Sequence, residues 1–167
     1  MARRFRGEHT QKVDGKGRVS IPASFKRVIQ DQDPDYVDGG AANLVIVFGN
    51  DRRKFLECYT ISAMEKVDEA IERMPRGSRE RRAMEDFFSA KAEDASVDGT
   101  GRLVLPKKLR DKVGLDDEAL FKAAGDTFQI WNSTTYETVQ GADIDAVFDA
   151  LPEGEDPLVL LEPYMGR

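Results

Sequence analysis

Apolar positions along the chain follow two rhythms, and together they predict a mixed α+β protein. Val19 and Ile21 alternate with Arg18 and Ser20, the two-residue period of a half-buried strand, while Leu103-Val104-Leu105 is a fuller apolar run. Behind each stands a proline, Pro22 and Pro106, at a point where the first turn of a helix tolerates a missing amide. Short helices are expected over residues 23–30 and 107–113, the second closed by Gly114. Two strands then follow over 44–48 and 55–59, separated by Gly49-Asn50-Asp51, and two more over 119–124 and 127–132, separated by Gly125-Asp126. Between them, Ile61, Met64, Val67, Ala70, Ile71 and Met74 recur at three- and four-residue steps and predict an amphipathic helix over 61–74. Pro75-Arg76-Gly77 breaks it, and Ser78 can cap a second helix running to about residue 90. A third helical stretch, from 134 to about 151, carries Val139, Ile144, Val147 and Phe148. The loop Pro152-Glu153-Gly154-Glu155-Asp156-Pro157 ends it, leaving Leu158-Val159-Leu160-Leu161 to dock on the body or on a neighbouring subunit.

These elements occur twice. Val13-Asp14-Gly15-Lys16-Gly17-Arg18-Val19-Ser20-Ile21-Pro22 returns as Val97-Asp98-Gly99-Thr100-Gly101-Arg102-Leu103-Val104-Leu105-Pro106, at a constant offset of 84 residues. The match continues into Phe25-Lys26 and Leu109-Arg110. Each copy reads as strand, tight turn, strand and helix, with paired glycines that permit the positive φ a hairpin turn demands. The predicted organisation is a first repeat over 8–60, a helical linker over 61–91, a second repeat over 92–135 and a helical, acidic segment over 136–167.

Charge alters this picture through its distribution. The net charge of −6 argues against nucleic acid, but residues 1–30 carry eight basic groups against Glu8 and Asp14. Residues 113–167 carry twelve acidic groups against Lys122 and Arg167. One face of the protein should therefore attract phosphates while another repels them. Arg79, Arg81 and Arg82 crowd the first turns of the second linker helix, where the helix dipole disfavours cations. They call for partners, against the plainer expectation of a solvated basic face.

Several chemistries lack their parts. His9 is the single histidine, so metal clusters and histidine relays have little to draw on, and no enzyme activity, metal or cofactor is expected. The Gly-x-Gly pairs lead into strands, not the helix a dinucleotide site needs. The single cysteine, Cys58, reads as a small buried hydrophobe in a reducing compartment. No apolar run approaches the roughly 18 residues that span a bilayer, and the opening Met-Ala-Arg-Arg-Phe-Arg precedes no apolar stretch, so no secretory or membrane signal is expected.

The hairpins offer a positive reading, since a two-stranded ribbon is one of the few elements that fits the DNA major groove. Lys16 puts a charge on a narrow glycine tip, and Arg18 beside it presents a planar fork of donors suited to guanine or phosphate. The second tip keeps Arg102 but has Thr100 in place of the lysine, so it should bind phosphate more weakly and serve assembly instead. Asp14 and Asp98 stand four residues before their arginines, close enough to orient the guanidinium or simply to staple the turn.

The pair Asp14-Gly15-Lys16-Gly17-Arg18 and Asp98-Gly99-Thr100-Gly101-Arg102, each followed by its proline, resembles the doubled Asp-x-x-x-Arg signature of the MraZ family. Phe5-Arg6-Gly7 and the helix containing Arg81-Arg82 are similar as well, and the likeness extends to about Asn132. The resemblance implies two pseudo-symmetric swapped-hairpin half-domains of SpoVT/AbrB type, each a small β-barrel half, in one α+β chain. It further implies a ring-shaped homo-oligomer that binds short direct repeats of double-stranded DNA upstream of the division and cell-wall gene cluster, its own promoter included. The expected role is a sequence-specific transcription regulator, a repressor, in the cytoplasm on the nucleoid, with no small-molecule substrate and no membrane partner. Lys16 and Arg18 are the expected DNA contacts, with Arg102 weaker and Arg6 and Lys12 drawn from the same basic stretch. Asp14, Gly15, Gly17, Asp98, Gly99 and Gly101 build the turns. Two alternatives stand beside this: an AbrB-like antitoxin whose tail neutralises a toxin, and an oligomeric scaffold for protein partners.

Overall fold

A computed structural model describes residues 4–166, so Arg3 and Arg167, counted above among the charges, lie outside the described residues. The chain divides into two compact units, one up to Asn132 and one from Ser133. The first contains eight strands: β1 (Glu8–Lys12), β2 (Arg18–Ser20), β3 (Ala42–Val47), β4 (Leu56–Thr60), β5 (Ala92–Val97), β6 (Arg102–Val104), β7 (Glu118–Ala124) and β8 (Thr127–Trp131). Its helices are α1 (Ala23–Asp31), α2 (Ile61–Glu72), α3 (Arg79–Glu85) and α4 (Lys107–Val113).

Strand pairing runs between the copies of the repeat. An antiparallel six-stranded sheet has the order β1-β7-β8-β4-β3-β5, and β2 pairs with β6 as a separate two-stranded ribbon. The first strand of each copy thus lies against the third strand of the other, while β4 and β8 join across the middle. No closed barrel forms among the described residues.

Local chemistry explains the boundaries. Pro22 and Pro106 hold φ of −51° and −57° at the helix entries. Phe25, Val28 and Ile29 form the buried stripe of α1, as Leu109 and Val113 do on α4, and Gly114 closes α4 at φ +68°. Thr60 caps α2 by accepting from the Ala63 amide at 3.1 Å, and Ser78 caps α3 by accepting from the Arg81 amide at 3.2 Å. The helix expected to run to residue 90 stops at Glu85 and widens into a π-type turn over Asp86–Ala90.

The fuller apolar run Leu103-Val104-Leu105 is not buried throughout. Val104 is 55% exposed between two fully buried leucines, so β6 alternates as β2 does. Val19, Ile21, Leu103 and Leu105 pack with Phe5, Phe25 and Phe128, whose rings meet with centroids 5.0 to 5.2 Å apart. Burying each such side chain contributes roughly 1.5–3 kcal/mol, so the ribbon is anchored from beneath by the core of both copies.

Arg81 has the partners that its position called for. It is buried, and one terminal nitrogen donates to the carbonyls of Met74 at 2.9 Å and Glu72 at 3.3 Å, with Nε on Glu85. These carbonyls are left over at the end of α2, so Arg81 serves as its C-terminal cap. Arg79 and Arg82 are exposed.

The second unit is helical: α5 (Ser133–Tyr136), a π-type turn over Glu137–Gly141, α6 (Ala142–Asp149) and short 3-10 turns over Pro157–Leu160 and Glu162–Tyr164. Among the described residues no helix is long and apolar enough to cross a membrane.

Candidate nucleic-acid interface

The first hairpin is organised around one carboxylate. Asp14 accepts from the Lys16 amide at 3.0 Å and the Arg18 amide at 2.9 Å through one oxygen, and from Arg18 Nε at 2.6 Å through the other. The Arg18 amide and then its guanidinium hold the Asp14 carboxyl down from its ordinary 3.8 to about 2. Stapling the turn and aiming the arginine are therefore one arrangement. Because the folded carboxyl is the more acidic, its contribution to the tip is complete above about pH 3.8 and disappears as the pH falls towards 2. An NMR acid titration should put the transition of the Arg18 amide near pH 2. A midpoint close to 3.8 would mean that the carboxylate is not held.

The second hairpin repeats the staple without the aim. Asp98 accepts from the Thr100 hydroxyl at 2.7 Å and from the amides of Thr100 and Arg102 at 2.9 and 3.0 Å. The Thr100 hydroxyl, first among these, lowers the Asp98 carboxyl. No hydrogen bond joins the Arg102 guanidinium to Asp98 among the described residues. The paired glycines also divide their work. Only Gly17 (φ +83°) and Gly101 (φ +86°) take the left-handed conformation. Gly99 is needed for close approach, because a β-carbon there would lie 2.8 Å from the Gly39 carbonyl oxygen, while Gly15 faces open space.

Each tip is tied to the far end of the other copy's ribbon strand. Leu105 donates its amide to the Gly17 carbonyl at 2.8 Å, and Ile21, its counterpart, donates to the Gly101 carbonyl at 2.8 Å. Between these ties β2 and β6 pair with Arg18 opposite Val104 and Ser20 opposite Arg102. Val19 and Leu103 point into the core, so Arg18, Ser20, Arg102 and Val104 share the exposed face of a single ribbon. Both arginines consequently stand on one surface, beside an open cleft of about 440 Å³ lined in part by Lys12, Asp14, Asp117 and Glu118.

The other candidates are less concentrated. Lys16 is exposed on the first tip. Lys12 stands opposite Glu118 in the β1–β7 register, a neighbour that offsets its charge. Arg6 is exposed at the other end of β1, beyond Phe5, whose amide bonds the Gly125 carbonyl. Two basic residues missed by the sequence reading do reach the tips: Lys26 Nζ donates to the Gly99 carbonyl at 3.1 Å and Arg110 Nε to the Leu105 carbonyl at 2.9 Å. Their equivalence in the repeat was the available signal. Cys58 is fully buried in β4, and burial pushes its thiol well up, as a small core residue requires. Among the described residues no group of three His, Cys, Asp or Glu could hold a metal ion.

Fold and site together define an α+β protein whose repeated hairpins merge into one exposed, arginine-bearing ribbon. Comparison with known proteins makes the assignment particular. The family described as "MraZ protein, putative antitoxin-like" matches residues 88–154. A transcriptional regulator MraZ of Ruegeria pomeroyi is 56% identical over 97% of both chains. One from Cereibacter sphaeroides is 44% identical, covering 97% of this chain and 98% of its own. One from Leuconostoc mesenteroides is 29% identical over 90% of this chain and 95% of its own. The chain belongs to the MraZ family.

Proposed function

We propose that this protein is a sequence-specific DNA-binding transcriptional regulator, acting as a repressor on direct repeats upstream of the division and cell-wall gene cluster, including its own promoter. The observation that carries the reading is the ribbon, whose exposed face bears Arg18 and Arg102 with Lys16 at one tip. A two-stranded ribbon fits the major groove, and forked arginines suit guanine edges and phosphates. The crossed strand pairing supports a swapped-hairpin arrangement of SpoVT/AbrB type, in which two half-domains over 8–60 and 92–135 build one binding face. The names of the relatives support a role in transcriptional regulation.

One ribbon neutralises few phosphates, so a single chain should bind weakly and with a steep salt dependence. A ring-shaped homo-oligomer facing repeated DNA boxes converts such contacts into avidity. Gel-shift titration with the protein's own upstream region, repeated across salt concentrations, tests the reading. Failure to bind that region at low salt sinks it. Lys16→Gln should weaken binding on all sequences and reduce the slope of log affinity against log salt by about one. An unchanged slope removes Lys16 from the contacts.

A protein partner is favoured by one further observation, the second unit's exposed apolar side chains: Leu158 at 54%, Leu161 at 53% and Tyr164 at 84%. With its acidic surroundings and the antitoxin-like description of the family, this suits a tail that neutralises a toxin. Limited proteolysis distinguishes the two. A packed regulator keeps its second unit, whereas a free antitoxin tail is cleaved early.

A further inference from the structure

We propose that Lys26 and Arg110 are positioning residues that brace the hairpins crosswise, the helix of each copy bearing on the tip of the other. The proposal rests on the DNA-binding reading above for its consequence, though not for its geometry. Lys26, on α1 of the first copy, donates Nζ to the Gly99 carbonyl of the second tip at 3.1 Å. Its stem covers the same tip, since a β-carbon on Gly101 would sit 3.7 Å from Lys26 Cδ. Arg110, 84 residues later on α4, lies over the first tip, where its Nε would be 3.0 Å from a β-carbon on Gly17. That Nε bonds the Leu105 carbonyl at 2.9 Å, and the Leu105 amide in turn holds the Gly17 carbonyl at 2.8 Å. Both side chains are half-buried, unlike the exposed Lys16, Arg18 and Arg102. They face the tips from inside the protein.

The arrangement has a functional consequence. A hairpin tip that must be ordered on binding charges its lost entropy against affinity, and a tip held beforehand does not. The braces therefore strengthen binding without adding a phosphate contact, and the number of counterions released stays the same. Arg18 has Asp14 to fix its guanidinium, whereas Arg102 has no such bond to Asp98, so the Lys26 brace is the support that the second tip has in its place.

Amide hydrogen exchange on the full-length, DNA-free protein tests the bracing. Lys26→Met, which keeps the apolar stem, should speed exchange over residues 98–102 by about five- to tenfold and leave 14–18 unchanged. Arg110→Met should do the reverse, and Lys26→Arg should restore the second tip. Loosening of the hairpin in the variant's own copy, of both hairpins equally, or of neither overturns the proposal. Binding to the upstream DNA then supplies the second measurement. Each methionine variant should bind several-fold more weakly with the salt slope of the unaltered protein, and a slope lower by about one would make the residue a phosphate contact instead. If the unaltered protein binds no DNA, the regulator reading fails while the exchange result still decides the braces.

Discussion

Gly17→Ala should destabilise the protein by about 3 kcal/mol or more, while the equivalent change Gly101→Ala should cost only about 1–2 kcal/mol. The two glycines look interchangeable in the repeat and have nearly the same backbone, φ +83° and +86°. Each alanine would pay for a left-handed conformation that its β-carbon disfavours, of order 1–2 kcal/mol. The surroundings then separate them. A β-carbon on Gly17 would lie 2.2 Å from the Leu105 carbonyl oxygen, whereas one on Gly101 would meet only the flexible Lys26 stem at 3.7 Å. Relieving the first clash means moving Leu105, and with it the 2.8 Å bond from its amide to the Gly17 carbonyl. Gly17 is buried, so the separated groups would be left without water. For a chain of this length, 1 kcal/mol corresponds to about 2–4 °C in Tm, so melting at fixed protein concentration should show losses of about 10 °C against about 4 °C. Equal losses would mean that the close approach of Gly17 to Leu105 does not constrain the fold.

The contrast also marks how far the sequence could be read. Turn chemistry and helical period are local, so the hairpins, the proline entries and the helices α1 and α4 could be placed within a residue or so. Strand partners are another matter. Periodicity states which side of a strand is buried and says nothing about which strand lies beside it. The pairing of β2 with β6 joins equivalent strands of the two copies, and it alone puts Arg18 and Arg102 on one face. Taken hairpin by hairpin, Thr100 in place of lysine weakens the second copy as a contact, and nothing in the chain order offsets that. The same blindness to distant neighbours applies to Arg81. Its charge near a helix start called for partners without naming them, and they are the carbonyls at the end of the preceding helix. Val104 shows the converse: an apolar residue within an apolar run stands on the exposed face opposite Arg18.

Arg18→Ala should abolish specific DNA binding and leave the protein folded and its oligomeric state unchanged. The side chain is 47% exposed, and its ion pair with Asp14 at 2.6 Å lies at the surface, where such pairs contribute at most about 1 kcal/mol. Asp14 keeps its bonds to the Lys16 and Arg18 backbone amides in the variant, so the turn itself is retained. Loss at the DNA is larger, because a forked arginine on a base or phosphate contributes roughly 1–3 kcal/mol at each site. That amounts to about fivefold to more than a hundredfold per ribbon, and avidity would multiply the deficit across an oligomer. Arg18→Lys should fail to restore binding, since lysine brings the charge without the planar fork that Asp14 fixes. Gel shift on the upstream region, beside thermal melting and mass determination of the assembly, separates the possibilities. If Arg18→Ala unfolds the protein or breaks the assembly, the Asp14–Arg18 pair is a staple and the DNA contact must be sought elsewhere on the ribbon. If Arg18→Lys binds as well as the unaltered protein, the contact is charge alone, and sequence selectivity has to come from another residue on the same face, with Arg102 the nearest candidate.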